Sequence, residues 1–246
     1  MIKYDHEIIR LLKEIITMIY HLGGDVIMAQ KICFIVSEDN IFEEKMIEFE
    51  YIKGMAFSQK QKNVLSFHKS IKELYEKNIL EVSTKSNVDL GVKLSAFNLK
   101  LDGYYFESVF QSSKVFEGNR QYGFLMRYPP KEAKKYMNAN PSGNLIAFQY
   151  KNKRYDLNPK SMFYDYLYIQ ALQQHPNISK QIIQYDIFTD IEYNYKKQVN
   201  CQARACAIYC YLLRHNVVDY YLSDINHFKL LYKNNHSSTQ LSLFEQ

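Results

Sequence analysis

Glu107, Gln111 and Lys114 stand at positions i, i+4 and i+7 of the segment YYFESVFQSSKVF. If that segment is helical, the three side chains project from one face. A carboxylate, an amide and an ammonium grouped in this way can deprotonate water, orient a polar substrate and hold an anion. The same spacing also occurs on helices that only face solvent. Here the stripe is embedded among Phe106, Val109, Phe110, Val115 and Phe116, which leave it little room to do so. A second concentration of acid, amide and base runs through Thr189, Asp190, Ile191 and Glu192 to Asn194, Lys196, Lys197, Asn200, Gln202 and Arg204. It falls between two expected helices, where loops carry function. Capping competes as an explanation, since Asn200 suits the N-cap of a helix from Cys201 and Asp190 suits a turn.

The elements that must position these groups are legible in the hydrophobic pattern. KICFIVS and EKMIEFEYIKG read as two strands, followed by a helix from an N-cap at Ser58 to Tyr75 and a third strand at NILEVS. The segment holding Glu107 reads as a helix or as a strand-to-helix transition. Pro129 and Pro130 mark a loop and a helix start before KEAKKYM, and LIAFQYKNKRYDL has the form of a hairpin around residues 151–153. From Pro159 onward the pattern is mostly helical, in SMFYDYLYIQALQQ, ISKQIIQYD, CQARACAIYCYLLRHN and VDYYLSDINHFKLLY. Before all of these, Tyr4 to His21 carries apolar residues at amphipathic-helix spacing and stops at Gly23 and Gly24. Gly-Gly-Asp shortly before Met28 is also what a ribosome-binding sequence would encode if read through, which makes Met28 a second candidate start.

Composition sets the frame. The chain has 246 residues, 47% apolar and 23% charged, as expected of one globular domain with a sizeable core. Twenty-two Tyr and fifteen Phe, with no Trp, are unusual. They either supply stacking surfaces for nucleobases or reflect AT-rich codon usage. A net charge of +5 permits a polyanionic partner without requiring one. The four cysteines form no CxxC pair and have no histidine at a ligand-like offset, so buried reduced thiols are expected, with no metal and a cytoplasmic location. No run approaches the ~18 apolar residues of a membrane span.

The segment LSAFNLKLDGYYFESVFQSSKVFEG resembles the NADAR signature, in which a Glu is followed by Gln four residues on and Lys seven on, after an LS-x-F and L-D-G approach. GMAFSQKQK, ILEVSTKS, EAKK, PKSMFYDYLYIQAL, YDIFTDIEYN and NCQARACA narrow the similarity to NADAR antitoxins that accompany a DarT-type toxin, over about Met28 to Leu213. The resemblance implies an α+β, predominantly helical, YbiA/NADAR-like single domain. We place that domain at 28–232, after a helical extension or non-native start at 1–27 and before a tail at 233–246. It also implies an N-glycosidase that needs no cofactor. The substrate is ADP-ribosylated guanine in DNA or, as the alternative, an intermediate of riboflavin synthesis; a non-catalytic antitoxin that binds the toxin is the third reading.

By that resemblance Glu107 matches the central carboxylate, and Gln111 and Lys114 match signature positions. Asp190 matches the acid of the C-terminal motif more loosely, with Glu192 or Asp186 as other counterparts. Tyr155 stands where many members have Trp. Cleaving a ribosyl C–N bond passes through an oxocarbenium-like state, so Glu107 would stabilise the cation or activate water, with Asp190 as second acid. Lys114, Lys134, Lys160 and Arg204 are candidates for the diphosphate, and Tyr104, Tyr105, Phe106 and Tyr155 for ring walls. Separately, Gln240, Leu241, Leu243 and Phe244 resemble the bacterial sliding-clamp pentapeptide on a polar tail, which adds the clamp to the toxin and modified DNA as an expected partner.

Overall fold

The computed structural model describes residues 26–38, 40–140 and 142–234. The expected N-terminal helix and the clamp-like tail lie outside them. Strand β1 (Val26–Ile35) pairs antiparallel with β2 (Glu43–Ile52) along its whole length, and so begins two residues before the expected domain start. Helix α1 (Phe57–Lys72) packs on this ribbon through Val64, Phe67 and Ile71. Its N-cap is Ala56, not Ser58; the Gln59 side chain reaches back to the Ala56 N–H, which removes the need for a capping hydroxyl. Strand β3 (Ile79–Glu81) and helix α2 (Asp89–Leu94) follow.

Next comes a two-stranded hairpin, β4 (Lys100–Leu101) and β5 (Tyr104–Tyr105). Its turn residues, Asp102 and Gly103, have φ of 51° and 84°, the left-handed pair that a type I′ turn requires. The Asp102 carboxylate ties the turn down by accepting from Tyr150, Lys151 and Gln174. Helix α3 (Phe106–Ser112) leaves β5 directly and gives way to β6 (Lys114–Phe116) and β7 (Arg120–Gln121). Helix α4 (Pro130–Ala139) opens on the expected proline. Strands β8 (Leu145–Tyr150) and β9 (Lys153–Tyr155) form the expected hairpin, with Lys151 and Asn152 at positive φ, and complete a sheet of order β7-β6-β8-β9.

The remaining helices are α5 (Met162–Gln173), α6 (Pro176–Ser179), α7 (Gln202–Arg214), α8 (Val218–Ser223) and α9 (Ile225–Asn234). Between α6 and α7 the chain inserts strand β10 (Ile187–Thr189), which the helical reading of that region missed. It lies at the centre of the first sheet, order β2-β1-β10-β3, antiparallel to β1 and parallel to β3. Its three residues are too few to show a period, and partners more than a hundred residues away hold them. Of the described residues, 46% are helical and 21% lie in strands, a mixed α+β architecture. No helix among the described residues is long and apolar enough to cross a membrane.

Helices α5 and α7 run through the main core, and almost every residue of both is buried. Such helices are apolar on all sides, so the few charges on them must be paired. Asp165 of α5 receives the Arg204 fork of α7 at 3.0 and 3.2 Å, and Tyr232 of α9 donates to the same carboxylate. Small residues also permit close approach at α2, where a Cβ on Gly91 would stand 1.9 Å from the Glu81 carbonyl oxygen. Gly91→Ala should therefore destabilise the protein by about 1–3 kcal/mol, read as a lowered thermal midpoint; an unchanged midpoint would contradict this packing.

Candidate functional site

Helix α3 is short, and all seven of its residues are buried. Its first turn is fixed by two backbone hydrogen bonds, Phe106 N–H to Leu99 O at 2.9 Å and Glu107 N–H to Ala96 O at 3.0 Å. Its apolar side rests on α5. The Phe106 ring meets Tyr164 and Tyr168 edge-on at 5.1 and 5.0 Å, and Phe110 meets Tyr164 at 5.0 Å. The hydroxyls of Ser112 and Ser113 fold back onto the Val109 carbonyl, and Ser108 donates to Tyr128 O. Backbone acceptors thus satisfy the small polar groups and leave the long ones, Glu107 and Gln111, to each other.

The Gln111 amide donates from Nε2 to Glu107 Oε1 at 2.9 Å, and its Oε1 accepts from Lys114 Nζ at 2.8 Å. A carboxylate can only accept and an ammonium can only donate, so the amide has one orientation that serves both. Lys114 is not on the helix. It opens β6 and reaches back over the Phe110 ring, 5.3 Å from its centroid. The helix ends before i+7, because Ser113 leads straight into a strand that pairs with β8. Burial lowers the Lys114 pKa, partly opposed by Glu107. Lys134 of α4 stands 3.9 Å from the same Glu107 oxygen and covers the Phe97 ring at 5.6 Å. Beside it opens a depression of about 530 Å³ lined by Phe97, Lys131, Lys134, Lys135 and Asn138. Lys134 thus connects a fixed carboxylate to a basic hollow that Phe97 also lines.

Asp190 terminates β10 and belongs to a second buried polar group. Glu81 of β3 accepts from Ser83 Oγ, Thr189 Oγ1 and the Ile191 N–H at 2.6, 2.7 and 2.8 Å. With the Thr189 proton directed to Glu81, His68 Nε2 at 2.8 Å is the donor to Thr189, which makes His68 the neutral Nε2–H form. Burial, reinforced by Lys72, accordingly pushes His68 down to about 4. Lys31 donates to the carbonyls of Ile191 and Tyr193 beneath the same loop. Burial first and the Glu81 charge second raise the Asp190 carboxyl to about 7, against the pull of Lys31. Asp190 also accepts from the Glu192 N–H at 2.9 Å, so the expected turn-capping role is real and coexists with the altered acidity.

The two acids are joined through Gln202. Its side chain bonds to Asp190, and its Oε1 accepts from the Ala96 N–H at 2.6 Å, on the residue whose carbonyl anchors Glu107. The wholly buried Tyr164 feels both charges. Glu81, Gln202, Tyr164 and Phe97 were not singled out as site residues from sequence. Gln202 gave a signal through its place in the polar run beside Arg204, and Phe97 through the LS-x-F approach to the signature.

The remaining candidates are dispersed. Arg204 is held by Asp165 and by Val199 O at 3.0 Å, which commits its fork to the core. Tyr155 is buried against Phe163 and Tyr166, with ring centroids at 4.9 and 6.3 Å. Glu192 is exposed and paired with Lys60 at 3.5 Å, and Lys160 is exposed before α5. The four cysteines are free and buried, and no group of three or more His, Cys, Asp or Glu among the described residues is placed to hold a metal ion.

Compared with known families, residues 29–242 match the family described as the DarT1-associated NADAR antitoxin. The match reaches well past Leu213 into the C-terminal region. No curated protein matches the chain.

The raised Asp190 pKa has a measurable consequence. Its folded-state pKa lies above the ordinary carboxylate value, so the folded protein binds more protons than the unfolded chain between about pH 4 and 7. That contribution to stability is present at low pH and is lost as pH rises through 7. Asp190→Asn cannot ionise. Relative to the parent protein its urea midpoint should rise more at pH 7.5 than at pH 5, and an equal difference at both would contradict the assignment.

Proposed function

This chain belongs to the DarT1-associated NADAR antitoxin family, and from that premise we propose that it hydrolyses the N-glycosidic bond between ADP-ribose and a guanine base of DNA, reversing the toxin's modification. The observation that carries this reading is the fixed Glu107 carboxylate, 3.9 Å from Lys134, which itself lines the basic depression. Hydrolysis at the anomeric carbon builds positive charge on the ribose as the C–N bond lengthens. Glu107 Oε1 is held by Gln111 and Lys134, while Oε2 takes no hydrogen bond from a described residue. That oxygen is available to face the developing cation or to take a proton from the attacking water.

The departing base leaves as an anion unless it is protonated. With a pKa near 7, Asp190 carries a proton for much of the time at neutral pH and fits the role of second acid. In this reading Gln202 and the Ala96 peptide keep it in register with Glu107. The lysines of α4 receive the diphosphate, and Phe97 offers a face to a ring of the ligand. Arg204 serves the core, so phosphate recognition falls to lysines acting as point charges.

Glu107→Gln keeps the shape and removes the charge. Incubated with an ADP-ribosylated guanine oligonucleotide, the parent protein should release ADP-ribose, and the variant should be slower by at least about a hundredfold at unchanged thermal stability. A variant that retains full release, or still protects cells fully, would overturn the catalytic role and favour neutralisation by contact. Release from a riboflavin intermediate and not from the oligonucleotide would move the substrate to small-molecule metabolism.

A further inference from the structure

Four exposed rings lie on or beside elements packed against α3. Phe124 and Tyr128 are 47% and 40% exposed, and Tyr104 and Tyr105 are 37% and 39% exposed. They belong to one surface: β5, which holds both tyrosines, contacts the 3-10 turn Gly123–Arg127, and both contact α3. The Tyr128 carbonyl accepts from Ser108, the residue after Glu107, so this turn is fastened to the catalytic helix. The rings are also braced from below. Phe124 meets Tyr128, Tyr136 and Tyr122 edge-on at 5.6, 5.3 and 6.1 Å, and Tyr122 and Tyr136 meet at 5.6 Å.

Rings held open to water cost solvation free energy that a folded protein ordinarily avoids by turning them inward. These are rigid, planar and presented in series. Their surroundings are basic, with exposed Arg127 between Phe124 and Tyr128, Lys100 Nζ 5.2 Å from the Tyr105 ring centroid, and the lysines of α4 beyond. Of the nearby acids, Asp102 in the turn before Tyr104 is paired with Lys151, and Glu132 stands on the first turn of α4. Stacking faces interleaved with cations suit a ligand that alternates flat rings with negative charges, which is an unpaired nucleic-acid strand. In a duplex the ring faces of the bases are already stacked on one another and unavailable.

We propose that Phe124 and Tyr128 form a stacking platform for the unpaired bases that flank the modified one, with Arg127 and Lys100 following the phosphates, so that the enzyme selects single-stranded over duplex DNA. This rests on the glycosidase reading for its biological meaning, but binding can be measured without any reaction.

The test is fluorescence anisotropy of the full chain with an unmodified, labelled 12-nucleotide DNA, as single strand and as duplex. The parent protein should prefer the single strand. The double variant Phe124→Ala, Tyr128→Ala should lose about tenfold or more of that affinity, whereas Phe124→Tyr, which keeps a ring, should retain it. Hydrolysis of a free ADP-ribosylated guanosine should be unchanged in the double variant, which also reports correct folding. Equal single-strand affinity in the parent and the double variant would overturn the proposal. So would loss of nucleoside hydrolysis in a folded variant, or loss of toxin binding with strand binding intact. If the parent protein released ADP-ribose from neither substrate, the glycosidase reading would fail while the strand measurement still stood.

Discussion

A carboxylate on a helix buried on every side is stable only if something in the interior replaces the water it has lost. At Glu107 that replacement is one amide. Gln111 donates to the carboxylate and accepts from Lys114, so a single side chain couples an acid to an ammonium across a helix end and a strand start. Much of the surrounding architecture serves this line. The rings of α5 support α3, the Asp102–Gly103 turn aims the chain into it, and β6 pairs with β8 to bring Lys114 back over Phe110.

The two carboxyls sit in different surroundings. Glu107 lies beside cations, whereas Asp190 lies beside another buried carboxylate, Glu81, with Lys31 only partly compensating. The link between them runs through the Gln202 side chain and the backbone at Ala96, which ties both to the packing of one loop.

The sequence was most readable where chemistry is local. The i, i+4 relation of Glu107 and Gln111, the hairpin at Lys151–Asn152, and the helices opening at Pro130 and near Ser161 all follow from near neighbours in the chain. What escaped was set by distant partners. Strand β10 is three residues held between β1 and β3, so the emplacement of Asp190 was hidden with it. Glu81 looked like an ordinary strand residue, and nothing local announces that Thr189 and Ile191 will bond to it. Arg204 stood out as a phosphate ligand because its acid, Asp165, is thirty-nine residues away on another helix. Lys114 lies on a strand and not on the helix, so the spacing that suggested one helical face is met instead by a strand turning back.

The central claim is that Glu107 faces the anomeric carbon of a ribose whose diphosphate lies on α4. The most direct measurement is a crystal structure of the Glu107→Gln protein with ADP-ribose bound. The account predicts the ribose C1 atom within about 3–3.5 Å of the side-chain position that Oε2 occupies in the parent, with the diphosphate over Lys131, Lys134 and Lys135. ADP-ribose seated elsewhere, or seated there with its ribose turned away from residue 107, would contradict it.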